Sequence, residues 1–207
     1  VGDSGLNAVI SSDLYRKSNI AMVGAASGFN PGRTVDNLFF LRASYAAEAE
    51  AVVEQFRLLG LTRFGVVVAQ SEFSKTTRSE IEAVVRERKL SLVKSLETTN
   101  DPRQIEATAQ QMAKGDRPQV ILLMADSVTS ALFVKAYRPL DPGISLVALS
   151  LAQHDTILQI IGPKLAHGTM LTQVVPDLNT KDLPVAIEHI TLMKKYRDEP
   201  PTAAEPS

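Results

Sequence analysis

At 207 residues, with 44% hydrophobic and 22% charged side chains, the chain has the composition of a globular protein, with room for one large domain or two small ones. A net charge of −1, dispersed Lys and Arg and an aromatic share of only 5% argue against nucleic acid or an anionic membrane as partner. The lack of Cys excludes disulfides, thiolate metal sites and cysteine nucleophiles, and no apolar run approaches the ~20 residues that span a bilayer. In chain order, Leu6–Lys17 carries Leu6, Val9, Ile10 and Leu14 at helical spacing, after a turn at Gly2–Gly5. Ile20–Val23 reads as a strand, followed by Gly24-Ala25-Ala26-Ser27-Gly28 and a polar loop with Pro31-Gly32. A second short strand is predicted at Leu38–Leu41. Ser44 is placed to cap a helix over Tyr45–Leu59, with Glu48 in its first turn, where the helix dipole favours an acid, and Gly60 just past its end.

From Arg63 to Ser150 a rhythm sets in. Short apolar runs at Phe64–Ala69, Leu90–Val93, Val120–Met124 and Ser145–Leu149 alternate with amphipathic segments, the second run reaching its helix through a connection at Lys94–Pro102. Runs of this length, rich in Val, Ile and Leu, read as parallel strands buried on both faces. The repeat predicts an α/β fold of βαβ units in a doubly wound parallel sheet. The helices fall near Thr77–Arg88, from Asp101-Pro102 through Lys114, and from Asp126 or Ser127 through Tyr137. Ser150 with Gln153 has the spacing of a capping box for a helix over Ala152–Ile161. Gly168–Val174 reads as a strand, Leu183–Tyr196 as a last helix and Glu199–Ser207 as a Pro-rich tail or the stub of a cut. Composition offers no obvious linker, and boundaries are expected near Arg42–Ser44 and Thr172–Pro176. Ligands of such sheets bind beyond the carboxyl ends of the strands, here Ala69–Ser74, Ala125–Ser130 and Ser150–Asp155.

No motif announces chemistry. Gly24–Gly28 lacks the spacing and the Lys-Ser/Thr of a phosphate loop; it is either a tight turn or a nest whose amides and Ser27 hydroxyl meet a carboxylate. Ser150, His154 and Asp155 are the residue types of a hydrolase triad, but they crowd into about one turn and lack a Gly-x-Ser-x-Gly elbow, so capping is the better account of Ser150. His154, His167 and His189 are isolated from one another, so neither a metal nor a cofactor is expected. The chain opens on Val1 rather than Met and shows no signal-peptide pattern, as expected of a processed or truncated polypeptide.

Several stretches together resemble the periplasmic-binding-protein type I family, and within it the leucine/isoleucine/valine-type substrate-binding proteins of ABC transporters. They are Ile20–Gly28 (IAMVGAASG), Asn37–Tyr45 (NLFFLRASY), the run from Ala49-Glu50 through Gly60–Val68, Asp116–Leu123, Phe133–Arg138, Leu146–Ser150 and Gly168–Pro176 (GTMLTQVVP). The resemblance implies a two-lobed, Venus-flytrap architecture with lobe one incomplete: residues 1–41 in lobe one, 42–172 forming lobe two, and 173–207 a hinge crossing with a return helix of lobe one. It also implies a binding protein rather than an enzyme, periplasmic or, in a Gram-positive cell, extracellular and lipid-anchored, with any signal removed. The expected partners are ABC permease subunits and a small ligand: an amino acid, an aliphatic or aromatic acid, or an amide. Carried over by position, the ligand's carboxylate meets Ala26, Ser27, Gly28 and the loop Asp3–Gly5 with Ser4 at its middle, while lobe two contributes Phe73, Asp126, Ser127, Ser150 and Leu151. Leu151 stands at or beside the position where amino-acid binders carry an acid for the α-ammonium. An ammonium buried without a counter-charge is costly, so an acid or amide lacking the amine fits better, unless Asp126 or Asp155 replaces the missing charge. The rival readings are a ligand-sensing regulatory domain of the same fold and an α/β hydrolase.

Overall fold

The computed structural model describes residues 3–29, 35–71, 74–175 and 183–196. The chain forms two compact units, Val1–Thr172 and Gln173–Ser207. The first opens with helices α1 (Asp3–Ser11) and α2 (Asp13–Lys17) and a two-stranded parallel sheet of β1 (Met22–Val23) and β2 (Leu38–Phe39). Two corrections to the sequence reading arise here. Asp3–Gly5 is the first turn of α1 rather than a turn before it, and Ser12 splits the expected Leu6–Lys17 helix by capping α2 through its hydroxyl, which accepts from the Tyr15 amide at 3.2 Å. Leu6, Ile10, Tyr15 and Ala25 form a small core of their own, with Met22, Val35 and Leu38 packed against it.

The rest of the unit runs through α3 (Tyr45–Leu58), β3 (Arg63–Ala69), α4 (Ser74–Glu87), β4 (Ser91–Thr98), α5 (Pro102–Ala113), β5 (Val120–Met124), α6 (Ser127–Tyr137), β6 (Ser145–Ala148), α7 (His154–Ala166) and β7 (Thr169–Leu171). Its five strands are all parallel, in the order β4-β3-β5-β6-β7. Side chains alternate along each strand, so the sheet buries two different sets of residues. On one face Phe64, Val66, Val68, Leu122 and Val147 meet Ala49, Val53 and Phe56 of α3 and Ile81 and Val85 of α4. On the other, Val67, Ile121, Leu123 and Leu146 meet α5, α6 and α7 through Ile105, Met112, Phe133 and Ile157. This is the doubly wound sheet the apolar rhythm predicted.

Three element boundaries differ from expectation. β4 continues through Lys94–Thr98, where the sequence suggested a connection; it is the sheet's edge, half-buried along most of its length, and its polar residues are satisfied locally, Arg78 donating to the Ser95 hydroxyl at 2.8 Å. α7 starts at His154 and runs past Ile161 across a kink, because Gly162 adopts φ 71°, ψ 163° and Pro163 restarts the helix. β7 is shorter than Gly168–Val174. In the second unit the described element is α8 (Pro184–Tyr196), where Leu183–Tyr196 was expected. The Pro31-Gly32 loop, Phe73, Pro176 and the Glu199–Ser207 tail lie outside the described residues.

Candidate ligand-binding site

The strand order reverses between β3 and β5, and the crevice of such a sheet opens at the carboxyl ends of those two strands. Asp126 and Ser127 lie there, directly after β5. Asp126 caps α6: one carboxylate oxygen accepts from the Val128 and Thr129 amides at 2.9 and 3.0 Å, the other from the Thr129 hydroxyl at 2.7 Å. The Ser127 hydroxyl accepts from the Gln153 amide at 2.9 Å and so ties the start of α6 to the loop after β6. Phe73, the aromatic assigned to this crevice, is outside the described residues.

Ser150, at the end of β6, is no helix cap, which corrects the capping-box expectation. Gln153 is the residue at the start of α7, without a side-chain cap, because the Ser150 hydroxyl is turned the other way and donates to Glu48 Oε1 at 2.6 Å. The Ser150 amide donates to Glu48 Oε2 at 2.9 Å, and the Thr172 hydroxyl, just past β7, donates to the same oxygen at 2.6 Å. Arg42 completes the cluster, its Nη2 donating to Glu48 Oε1 at 2.8 Å and to the Ser150 hydroxyl. Glu48 is 5% exposed. The residue expected as a dipole partner in the first turn of α3 is thus also a buried anchor for two strand ends. His154 pairs with Asp155 at 3.0 Å in an exposed position, and with the Ser150 hydroxyl given to Glu48 no triad forms.

A second cluster surrounds the Gly24–Gly28 turn. The Ser27 hydroxyl, fully buried, donates to Asp3 Oδ1 at 2.6 Å and accepts from the Phe29 amide at 3.1 Å. Tyr45 donates its phenol to the same Asp3 oxygen at 3.0 Å and its amide to the Gly28 carbonyl at 3.0 Å. Burial, then the charge of Asp3, pushes the Tyr45 phenol well above its ordinary range, so it stays a proton donor. Position 28 has to be glycine here, since a Cβ would sit 2.7 Å from the Tyr45 ring. The Arg42 guanidinium lies over the other side of the site, 5.3 Å from the Tyr45 ring centroid. Ser27, Gly28, Phe29, Phe40, Arg42 and Ser44 line a pocket of about 140 Å³.

Of the expected ligand residues, Ser27 and Gly28 therefore share a pocket. Ala26 is exposed beside them, and Ser4 is exposed in the first turn of α1 rather than in a loop. Asp126, Ser127, Ser150 and Leu151 gather at the sheet's carboxyl edge, where Leu151 packs half-buried against the α3–α4 core. The sequence reading placed Asp3–Gly5 at the site but missed Arg42, Tyr45 and Glu48. Their signal was the Tyr45/Glu48 pair on one helical turn, read only as capping and dipole chemistry. A larger cavity of about 280 Å³, lined by His154, Ile157, His167 and Thr169 among others, involves none of the expected residues. Among the described residues no helix is long and apolar enough to cross a membrane, and no cluster of potential metal ligands occurs.

The sequence model of the periplasmic binding protein family matches residues 3–207. The chain belongs to this family. Periplasmic binding proteins are extracytoplasmic solute-binding proteins rather than enzymes. Solved structures share the fold. A possible leucine/isoleucine/valine-binding protein from Rhodopirellula baltica is 21% identical, with a TM-score of 0.79 over 96% of this chain and 54% of that one. A branched-chain amino acid ABC transporter protein from Thermus thermophilus with bound valine is 15% identical, with a TM-score of 0.76 over 95% and 51%. An ABC transporter solute-binding protein from R. palustris in complex with benzoate is 15% identical, with a TM-score of 0.59 over 80% and 44%. The chain spans about half the length of these structures. The comparison with curated proteins finds no match.

Proposed function

We propose that this periplasmic binding protein serves an ABC importer, holding an amino acid or a similar small carboxylate or amide between residues 1–41, part of one lobe, and residues 42–172, the other. Residues 173–207 form a separate part of the chain, in keeping with the unit boundary after Thr172. The observation that carries the proposal is the pocket at Ser27 and Gly28, bordered by the Arg42 cation, in a chain of this family. The Arg42 guanidinium on the lining of this pocket, beside a turn of small residues, suits a carboxylate. Leu151 and the capping role of Asp126 favour acids without an amine, while the valine and benzoate complexes of the fold's other members keep both classes in the panel. Permease subunits are the protein partners this role requires.

A thermal-shift screen of the chain against leucine, valine, short aliphatic acids, benzoate and amides tests the proposal. Ligand at about 1,000 times its dissociation constant adds about 4 kcal/mol, a rise on the order of 10 °C for a protein of this size. Cooperative melting with no shift in any class would point to a sensor of other chemistry. With a ligand in hand, Ser27→Ala should weaken binding by roughly 1–3 kcal/mol, because the Ser27 hydroxyl holds the turn in place through its bonds to Asp3 and the Phe29 amide. Unchanged affinity by calorimetry would remove Ser27 from the site.

A further inference from the structure

Glu48 makes a pattern of contacts that neither capping nor a surface ion pair explains. Each carboxylate oxygen accepts two hydrogen bonds, Oε1 from Arg42 and the Ser150 hydroxyl, Oε2 from the Ser150 amide and the Thr172 hydroxyl. A carboxylate offers about four lone-pair sites, so the group is saturated. Those contacts join the first turn of α3 to residues 102 and 124 positions away in sequence. Ser150 begins the loop that carries the candidate ligand residues Ser150 and Leu151, and Thr172 is the last residue of the first compact unit.

We infer that Glu48 is a positioning residue for the ligand site: it fixes the backbone of the Ser150–Leu151 loop against the end of β7 while touching no ligand itself. The inference rests on the proposed ligand-binding function for its consequence, though not for its geometry. A carboxylate is required because each oxygen faces one donor that cannot reverse. Oε1 faces a guanidinium N–H and Oε2 a main-chain N–H, whereas the two hydroxyls can rotate. Glutamine would place an NH₂ against one of the two fixed donors whichever way its amide turned. Aspartate would be one methylene too short to span both partners. The loop is therefore held by charge at a place where an equally bulky neutral side chain fails.

The test is amide hydrogen exchange on the 207-residue chain, alongside binding of leucine, valine and benzoate, for wild type, Glu48→Gln and Thr172→Val. In Glu48→Gln the Ser150 amide should exchange roughly tenfold to a hundredfold faster, the loss expected of one or two charge-assisted hydrogen bonds, while amides within β3 and β5 keep their protection. Affinity for whichever of the three acids binds wild type should fall by a similar factor. Thr172→Val, which leaves the Glu48–Ser150 contact in place, should accelerate the Ser150 amide and weaken binding less than Glu48→Gln. Unchanged exchange at Ser150, or equal acceleration throughout β3 and β5, would overturn the positioning role, the second by showing a general loss of stability. Faster exchange at Ser150 with undiminished affinity would overturn it too. If wild type binds neither these three nor the aliphatic acids and amides of the screen above, the ligand-binding proposal falls separately and the exchange result alone decides the role of Glu48.

Discussion

Tyr137 is fully buried and stacks on Phe133, with ring centroids 5.6 Å apart, yet its hydroxyl has no hydrogen-bond partner among the described residues. An unpartnered buried hydroxyl costs about 1–3 kcal/mol, so Tyr137→Phe should leave the protein at least as stable and raise its urea midpoint. A clear drop in the midpoint would mean that the hydroxyl finds a partner after all. Glu82 presents the opposite case. Burial alone would raise its carboxyl, but the Ser95 hydroxyl and the Arg78 and Arg86 guanidinium groups outweigh it and hold the group below the usual 4.5. A depressed folded value makes the ionised group stabilising above the unfolded one, with the benefit lost as pH falls through the folded one. Glu82→Gln should therefore melt lower than wild type near neutral pH, with the gap closing at acid pH. A gap of equal size at both pH values would mean that shape, not charge, is what Glu82 contributes.

At the scale of elements, β5 is the centre of the molecule: Val120–Met124 is buried at every position and pairs with both β3 and β6. Ile121→Asp would set an unpaired carboxylate among Ile105, Phe133 and Leu146, a cost of several kcal/mol against a domain stability of about 5–15. Loss of the cooperative melting transition is expected; a normal transition would show that position 121 is not in the core. This strand was legible in the sequence because burial on both faces writes an uninterrupted apolar run. β4 was legible only in its first part, through Leu90–Val93, since an edge strand is only half-buried and Lys94, Ser95 and Glu97 read as a connection. The same logic divides the site. Ser27 and Gly28 could be picked out by a local turn of small residues. The bonds of Glu48 to Ser150 and Thr172 leave no trace in neighbouring letters, and Ser150 instead showed the false local signal of a capping box.

For the molecule as a whole, the order β4-β3-β5-β6-β7 has a consequence in time as well as in space. β3 is the first strand of its sheet to be synthesised and one of the most apolar, but its partner β5 is not added until β4 and the helices on either side of it have been made. At ~5–20 residues per second the ribosome takes roughly 3–10 s to travel from Phe64 to its partner Val120. Through that interval the Val66-Val67-Val68 strand has an open edge, able to pair with any extended chain that drifts past. The polypeptide thus has a vulnerability to aggregation that lasts at least this long and ends only when β5 pairs with β3, wherever the chain comes to fold.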